Sequence, residues 1–314
     1  MLRALIKTMR IRQWPKNGFI FAALIFDRQL TDPVAFARTM AGFILFCLLS
    51  SSVYIINDIF DVESDRQHPT KRNRPIASGR LSTRAAAVTA ALIVVVTLVL
   101  AYFLSPGFLI ISVIYFVANL AYSIWLKHVP LIDVLMIALG FVLRVAAGVS
   151  LIQVERFSPW LYVVTTLLAL YLGFGKRRAE LSLLEGEALS HRRVLEGYSI
   201  ALLDQLITIV SATTIITYSL YTFSAPNLPA NHTMMLTIPF VLYGIIRYLY
   251  LIQIKNEGGA PEELLLTDRP LQVTIMLSFP PGRQIALAVG VRGAMKTGGS
   301  VWSTGETIRG RFRK

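Results

Sequence analysis

Residues 38–66 read RTMAGFILFCLLSSSVYIINDIFDVESDR: an apolar run of helical length that closes on Asn57-Asp58-Ile59-Phe60-Asp61-Val62-Glu63-Ser64-Asp65-Arg66. The run from 38 to 56 approaches the roughly 20 residues a helix needs to cross a hydrocarbon core of about 30 Å. It lacks sustained period-two alternation, so a helix is expected rather than a barrel strand. At about 3.6 residues per turn, Asn57, Asp58, Asp61 and Asp65 share roughly a 100° arc of one helix face, and Glu63 points away. Carboxylates stacked this closely repel one another unless a cation lies among them. Hard oxygen donors suit Mg2+, which commonly binds through one or two carboxylates plus substrate phosphates. Asp58, Asp61 and Asp65 are therefore the expected metal ligands and, with Asn57, the expected catalytic set. A solvated acidic helix end is the plainer alternative. Ionisable residues at membrane depth are costly, which favours function.

Further apolar blocks lie near residues 18–30, 85–104, 107–126, 131–152, 159–175, 205–223 and 234–253. The chain is 54% hydrophobic and 16% charged, with a mean hydropathy of +0.59, a balance that fits a multi-pass membrane protein and not a soluble domain. The expected fold class is all-α integral membrane. The first block is short and reads as a tilted or half span. The net charge of +13 is concentrated in alternate loops: before the first block, at Arg66–Arg84, at Lys127 and His128, at Lys176–Arg193, and at Lys255 and Arg269. The stretches 105–107 and 225–233 carry no Lys or Arg. This alternation fits the positive-inside rule with the N-terminus in the cytoplasm, and makes a nucleic-acid partner unnecessary. A single cysteine, Cys47, excludes an intrachain disulfide framework. No small-residue cleavage pattern follows the N-terminus, so the first block is expected to be retained.

After the acidic stretch comes Arg66-Gln67-His68-Pro69-Thr70-Lys71-Arg72-Asn73-Arg74-Pro75-Ile76-Ala77-Ser78-Gly79. Cations beside an acidic metal site suit a phosphorylated substrate, so Lys71, Arg72 and Arg74 are candidate ligands. Membrane anchoring explains any one of them equally well, and His68 alone carries little weight.

Together these residues resemble the signature of the UbiA superfamily of intramembrane prenyltransferases, NDxxDxxxD followed by RPxxSG. Asn57, Asp58, Asp61 and Asp65 match the first part, and Arg74, Pro75, Ser78 and Gly79 the second; the likeness extends to about residue 277. It implies nine helices, or eight with an interrupted ninth, around a cavity open to the cytoplasm and laterally to lipid, with magnesium holding a diphosphate against the aspartates. Most aromatic prenyltransferases of that family carry a second aspartate motif near the end of the sixth helix. Here the corresponding place reads Tyr171-Leu172-Gly173-Phe174-Gly175-Lys176-Arg177-Arg178-Ala179-Glu180, with three cations in place of the acids. That substitution is similar to the decaprenyl-phosphate phosphoribosyltransferase branch. So are Arg10-Ile11-Arg12-Gln13-Trp14-Pro15-Lys16-Asn17, the segment from Tyr122 to Gly148 with Lys127, His128, Asp133 and Arg144, and Pro261-Glu262-Glu263 followed by Asp268-Arg269-Pro270.

The branch resemblance implies transfer of 5-phosphoribose from phosphoribosyl diphosphate to a polyprenyl phosphate, a step toward the arabinose donor of actinobacterial cell walls. Mg2+ is the implied cofactor. Lys16, Lys176 and Arg177 are candidates for the 5-phosphate and Lys127 for the acceptor phosphate; Asn17 and Arg144 are further candidate substrate ligands. Asp133 and Arg144 lie about three helical turns apart and could face the cavity or satisfy neighbouring helices. Asp268 and Arg269 could cap a helix or close a lid. Trp14 suits an interfacial belt as well as any site, and Gly258-Gly259-Ala260-Pro261 is read as a loop without phosphate-cradle character. The expected location is the cell inner membrane, with N-terminus and site cytoplasmic; self-association is left open.

The last stretch departs from this pattern. Ser278-Phe279-Pro280-Pro281-Gly282-Arg283 interrupts the expected ninth span, and residues 278–314 carry seven Lys or Arg against the single acid Glu306. A transferase domain over 1–277 and a basic, flexible tail over 278–314 are expected, the tail being of a kind a shifted reading frame would produce. Two other functions compete. An aromatic or quinone-pathway prenyltransferase would need a second acidic cluster, for which Glu180, Glu185 and Glu187 are the nearby candidates. A transporter would show paired motifs in two halves, and no second acidic signature is present.

Overall fold

The computed structural model describes residues 2–278 apart from 28, 154–158, 185–192, 226–227, 229–231, 256, 258, 260–263 and 265–266, and the described residues form helices joined by turns with no strand among them. Residues 279–314 of the expected tail, Pro261-Glu262-Glu263, Glu185 and Glu187 lie outside the described residues.

Four of the long helices begin where the sequence supplies a side-chain cap. Asp32 accepts from the Val34 and Ala35 N–H groups at 2.8 and 3.3 Å, and Pro33 opens α3 (Pro33–Phe60). Ser82 caps α5 (Thr83–Leu104), Ser105 with Pro106 caps α6 (Pro106–Ile124), and Ser199 caps α9 (Ile200–Ser224). These four, α7 (Ile132–Val149) and the segment Thr233–Gln253 containing α10 (Ile238–Gln253) are six described helices long and apolar enough to cross a membrane. α8 (Pro159–Leu184) has 26 residues but carries Lys176, Arg177 and Arg178 near its end. α3 is the central helix, 61% of its apolar window being buried against 17% for α5. Exposed Val88, Leu92, Val95, Val99 and Phe103 give α5 an apolar outer face suited to lipid.

The first apolar block departs from expectation. After α1 (Leu2–Thr8), residues Ile11–Phe21 form a 3-10 helix that continues into the short α2 (Ala22–Phe26). Eleven residues of 3-10 helix is unusually long; Pro15 and Gly18 lie within it and weaken a regular α-helix. The segment runs from Arg10, beside Asp58, to Gln29, which donates to the Gln153 carbonyl at 2.7 Å beyond the far end of α7. Its contact with α7 is backbone-close: a Cβ on Gly148 would stand 1.9 Å from the Ile20 carbonyl oxygen. Successive long helices alternate in direction, so the links 61–82 and 125–131 gather at the Asp58 end, as does the end of α10. There the last described helix, α11 (Arg269–Ser278), begins. Asp268 caps it, accepting from the Leu271 N–H at 2.9 Å, and pairs with Arg247 at 2.8 Å, so the helix-cap expectation for Asp268 is the one the structure shows.

Candidate active site

Helix α3 breaks at Asp61 (φ −89°, ψ 4°) and resumes as α4 (Val62–Gln67), still joined by the Asp65 N–H to Asp61 carbonyl bond of 2.8 Å. The acidic residues consequently fall into two groups. Asp58, only 3% exposed, accepts from Arg10 and, at 3.2 Å, from Arg74; the same Arg74 nitrogen lies 2.7 Å from Asp65. Asp61 accepts from Asn57 at 3.0 Å and from Lys127 Nζ at 2.8 Å. Glu63 pairs outside the site with Arg66.

The loop after α4 is built to return Arg74. His68 Nδ1 accepts from the Thr70 and Lys71 N–H groups, ordering the descent. Pro75 then starts a tight turn closed by the Leu81 N–H to Pro75 carbonyl bond, and Gly79 supplies the positive φ of 75° that the turn needs. Buried Ile76 and Leu81 anchor the turn in a cluster with Ile55, Ala86 and Ala90. Arg10 has left-handed backbone (φ 52°) and lies 5.0 Å from the Tyr54 ring centroid, which orients its guanidinium toward Asp58.

A cavity of about 1470 Å³ opens over this face. It brings together the expected Lys16, Asn57, Asp61, Asp65, Lys71, Arg74, Lys127 and Lys176. Arg10, Gln13, Tyr54, His68, Asn119, Tyr122, His128 and Glu180 join them without having been singled out as ligands. Six Lys or Arg side chains line it against three carboxylates, a wall suited to a polyanion.

Several expected residues lie elsewhere. Asp58 sits behind the wall and holds the two arginines. Arg72 is exposed in the loop, outside the cavity lining. Asn17 (1% exposed) and Arg144 (7%) are corrected to a core role: Arg144 donates to Asn17 Oδ1 at 2.8 Å, to the Gly140 carbonyl at 2.6 Å and to Tyr115 Oη at 3.0 Å. Phe46, Tyr115 and Phe141 rings surround its guanidinium. Arg177, 1% exposed, is likewise no wall residue: it donates to Asp133 at 2.6 Å and pairs with Glu180. Arg178 reaches Asp204 at 2.6 Å. Of the three consecutive cations on α8, only Lys176 faces the cavity. Trp14, half-buried, donates to Ser51 at 3.0 Å.

Sequence reasoning also missed Tyr198, whose hydroxyl donates to Asp133 at 2.6 Å and accepts from the Leu131 N–H at 2.6 Å. Burial, then the Asp133 carboxylate, hold this phenol protonated well above its ordinary range. No local motif surrounds Tyr198 that could have announced the contact.

The donor set fits Mg2+ chemically. Asp61 offers an accessible carboxylate already in contact with one cation, Lys127, and Asp65 stands one turn away beneath Arg74. Among the described residues no three carboxylate, imidazole or thiol groups converge on one point, so the expected Asp58–Asp61–Asp65 trio is not gathered as a single cluster.

The model of the UbiA prenyltransferase family matches residues 18–264. The chain belongs to that family. It is 34% identical over 293 residues to a decaprenyl-phosphate phosphoribosyltransferase of Mycolicibacterium smegmatis, covering 88% of this chain and 90% of that one. It is 34% identical over 281 residues to the decaprenyl-phosphate phosphoribosyltransferase of Corynebacterium glutamicum, covering 86% and 82%. Among solved structures, a UbiA homolog from Archaeoglobus fulgidus bound to DMAPP and Mg2+ has a TM-score of 0.68 at 19% identity, over 88% of this chain and 97% of that one. This UbiA-family chain is thus a multi-pass membrane protein whose described residues form helices joined by turns.

Proposed function

We propose that this chain transfers 5-phosphoribose from phosphoribosyl diphosphate to a polyprenyl phosphate, decaprenyl in length, releasing diphosphate and supplying a cell-wall arabinan precursor. The relatives named decaprenyl-phosphate phosphoribosyltransferase support this reading. The observation that carries it is the single cavity joining Asp61 and Asp65 to Lys16, Lys71, Lys127 and Lys176. A donor with a diphosphate and a separate 5-phosphate, met by an anionic acceptor, needs more cations than a prenyl diphosphate does.

In this mechanism the bond between the ribose anomeric carbon and the diphosphate oxygen breaks as an oxygen of the lipid phosphate bonds to that carbon. The diphosphate leaves with the electron pair. Asp61 and Asp65 would hold Mg2+, which when bound supplies charge neutralisation to the diphosphate. Asn57 holds Asp61, and Asp58 fixes Arg10 and Arg74 beside the same phosphates. Lys127, paired with Asp61, is placed at the diphosphate and not at the acceptor phosphate first expected for it; Lys16 and Lys176 take the 5-phosphate, and Lys71, on the same cavity wall, the acceptor. That acceptor is already anionic near neutral pH, so no general base is required, and catalysis rests on positioning and charge. We further place the transferase domain at 1–277 with a tail over 278–314, nine helices in the complete bundle, and the cavity on the cytoplasmic side of the cell inner membrane.

The test uses purified protein in detergent with Mg2+. Labelled phosphoribosyl diphosphate with polyprenyl phosphate is run beside 4-hydroxybenzoate with polyprenyl diphosphate, each repeated with Asp61→Ala. Label in lipid only in the first pair, and lost in the variant, is the expected result. Product only in the second pair would overturn the proposal in favour of aromatic prenyl transfer.

A further inference from the structure

We infer that Gly197 and Tyr198 clamp the turn before α7 and thereby set Lys127 on Asp61, which makes Tyr198 a positioning residue of the transfer site. The inference rests on Asp61 being the centre of that site, and not on which donor is used.

The turn is strained where the clamp meets it. Leu131 has φ 66° and ψ −45°, and the Ile132 N–H reaches back to the Pro130 carbonyl at 2.8 Å. This is the γ-turn of positive φ, a rare conformation for a residue with a side chain. Such geometry persists only where its surroundings over-determine it, and it gathers at functional sites. Here Tyr198 Oη accepts the Leu131 N–H and donates to Asp133, whose second oxygen takes Arg177 at 2.6 Å. From the other side Gly197 presses on Pro130: a Cβ at 197 would stand 2.2 Å from the Pro130 ring. The clamp is itself fixed, because Val194, Leu195 and Tyr198 are buried in one cluster with Val134, Tyr171 and Phe174.

The held turn leads straight to the site. Lys127 lies in the short 3-10 turn Leu126–His128, three residues before Pro130, with the Val129 N–H bonded to the Leu126 carbonyl and the Asp133 N–H to the Val129 carbonyl. The backbone between the clamped Leu131 and Lys127 is thus held by hydrogen bonds, and the Lys127 ammonium stands 2.8 Å from Asp61. The far side of the network also touches the cavity, since Arg177 holds wall residue Glu180. A purely structural bond would stabilise the start of α7 and leave Lys127 indifferent. A positioning bond acts through Lys127, and that difference is measurable.

The experiment is a double-mutant cycle on the full chain, reading calorimetric binding of inorganic diphosphate in the presence of Mg2+. Wild type, Tyr198→Phe, Lys127→Gln and the double variant are compared, with unfolding temperatures recorded. The expected result is about tenfold weaker binding in each single variant and at most about twofold further loss when Tyr198→Phe is added to Lys127→Gln. Gly197→Ala, run through the same cycle, should behave alike and serves if the phenylalanine variant fails to fold. Full additivity, or unchanged binding in Tyr198→Phe with only a lowered unfolding temperature, overturns the inference. Because the probe is inorganic diphosphate, the result stands apart from the donor test: the wrong donor there leaves this cycle readable.

Discussion

Lys176 and Arg177 are neighbours about 100° apart around α8, and that rotation separates chemistry from architecture. Lys176 reaches the cavity; Arg177 is buried on Asp133 and Glu180. Lys176→Met should therefore lower turnover at limiting donor by about ten- to a hundredfold, as loss of one charge-assisted phosphate contact does, while leaving the melting curve in place. Arg177→Met should do the reverse first. It leaves Asp133 buried without its cation, at a cost of about 3–5 kcal/mol, seen as a large fall in unfolding temperature before any assay. Equal stability of the two variants would contradict the assignment. The basic triplet was plain in the sequence, as were the aspartates and Arg74. Which member of the triplet faces the cavity was not, because helical phase relative to α7 is set by a residue 44 positions away. Arg144 misled for the same reason: a cation inside a membrane reads as functional until its three acceptors and three aromatic rings are seen.

Elements show a similar division. The α-helices with capping Ser or Asp and uniform apolar runs were legible, whereas the 3-10 course of Ile11–Phe21 was not. Pro15 and Gly18 weaken an α-helix there, and packing against α7 completes the course in a way no local pattern announces. Gly148 makes that packing possible, and a methyl there meets backbone rather than a pliant side chain. Gly148→Ala should push the first segment off α7, costing about 1–3 kcal/mol or more, and displace Gln13 and Lys16 from the cavity. Faster proteolysis near the N-terminus, together with weaker donor binding, is the expected readout; an unchanged cleavage pattern would refute it. The start of α11 carries a different signature. The Arg247 hydrogen bond holds Asp268 below the usual carboxylate range, so its contribution to stability is full above the unfolded pKa of about 3.9 and is lost as pH falls through the lower folded value. Unfolding temperature should drop on acidification below about pH 4, and Asp268→Asn should flatten that dependence. An identical acid slope in the variant would assign the effect to other carboxylates.

At the scale of the whole molecule, the alternation of helix directions turns a charge pattern into a claim about sidedness. Every described link at the cavity end carries Lys or Arg, and the link 61–82 holds five, Arg66, Lys71, Arg72, Arg74 and Arg80. At the other end Arg38 is tied to the Leu104 and Leu151 carbonyls. Positive loops stay in the cytoplasm, so the cavity should open there, on the side where a water-soluble phosphorylated donor is found. The apolar blocks made the multi-pass architecture readable from sequence. The cavity was not readable, since it is assembled from the N-terminal segment, α3, α6 and α8 at once. Sidedness can be measured with the protein's own economy of thiols: Cys47, the single cysteine, is fully buried and silent. Thr70→Cys, in the loop of the acidic site, and Thr31→Cys, before α3, are both exposed positions at opposite ends. In intact cells a membrane-impermeant maleimide should label Thr31→Cys and spare Thr70→Cys, and permeabilisation should expose both. Labelling of Thr70→Cys in intact cells would place the aspartates outside, where a cytoplasmic donor could not reach them, and the phosphoribosyl reading would fall with the orientation.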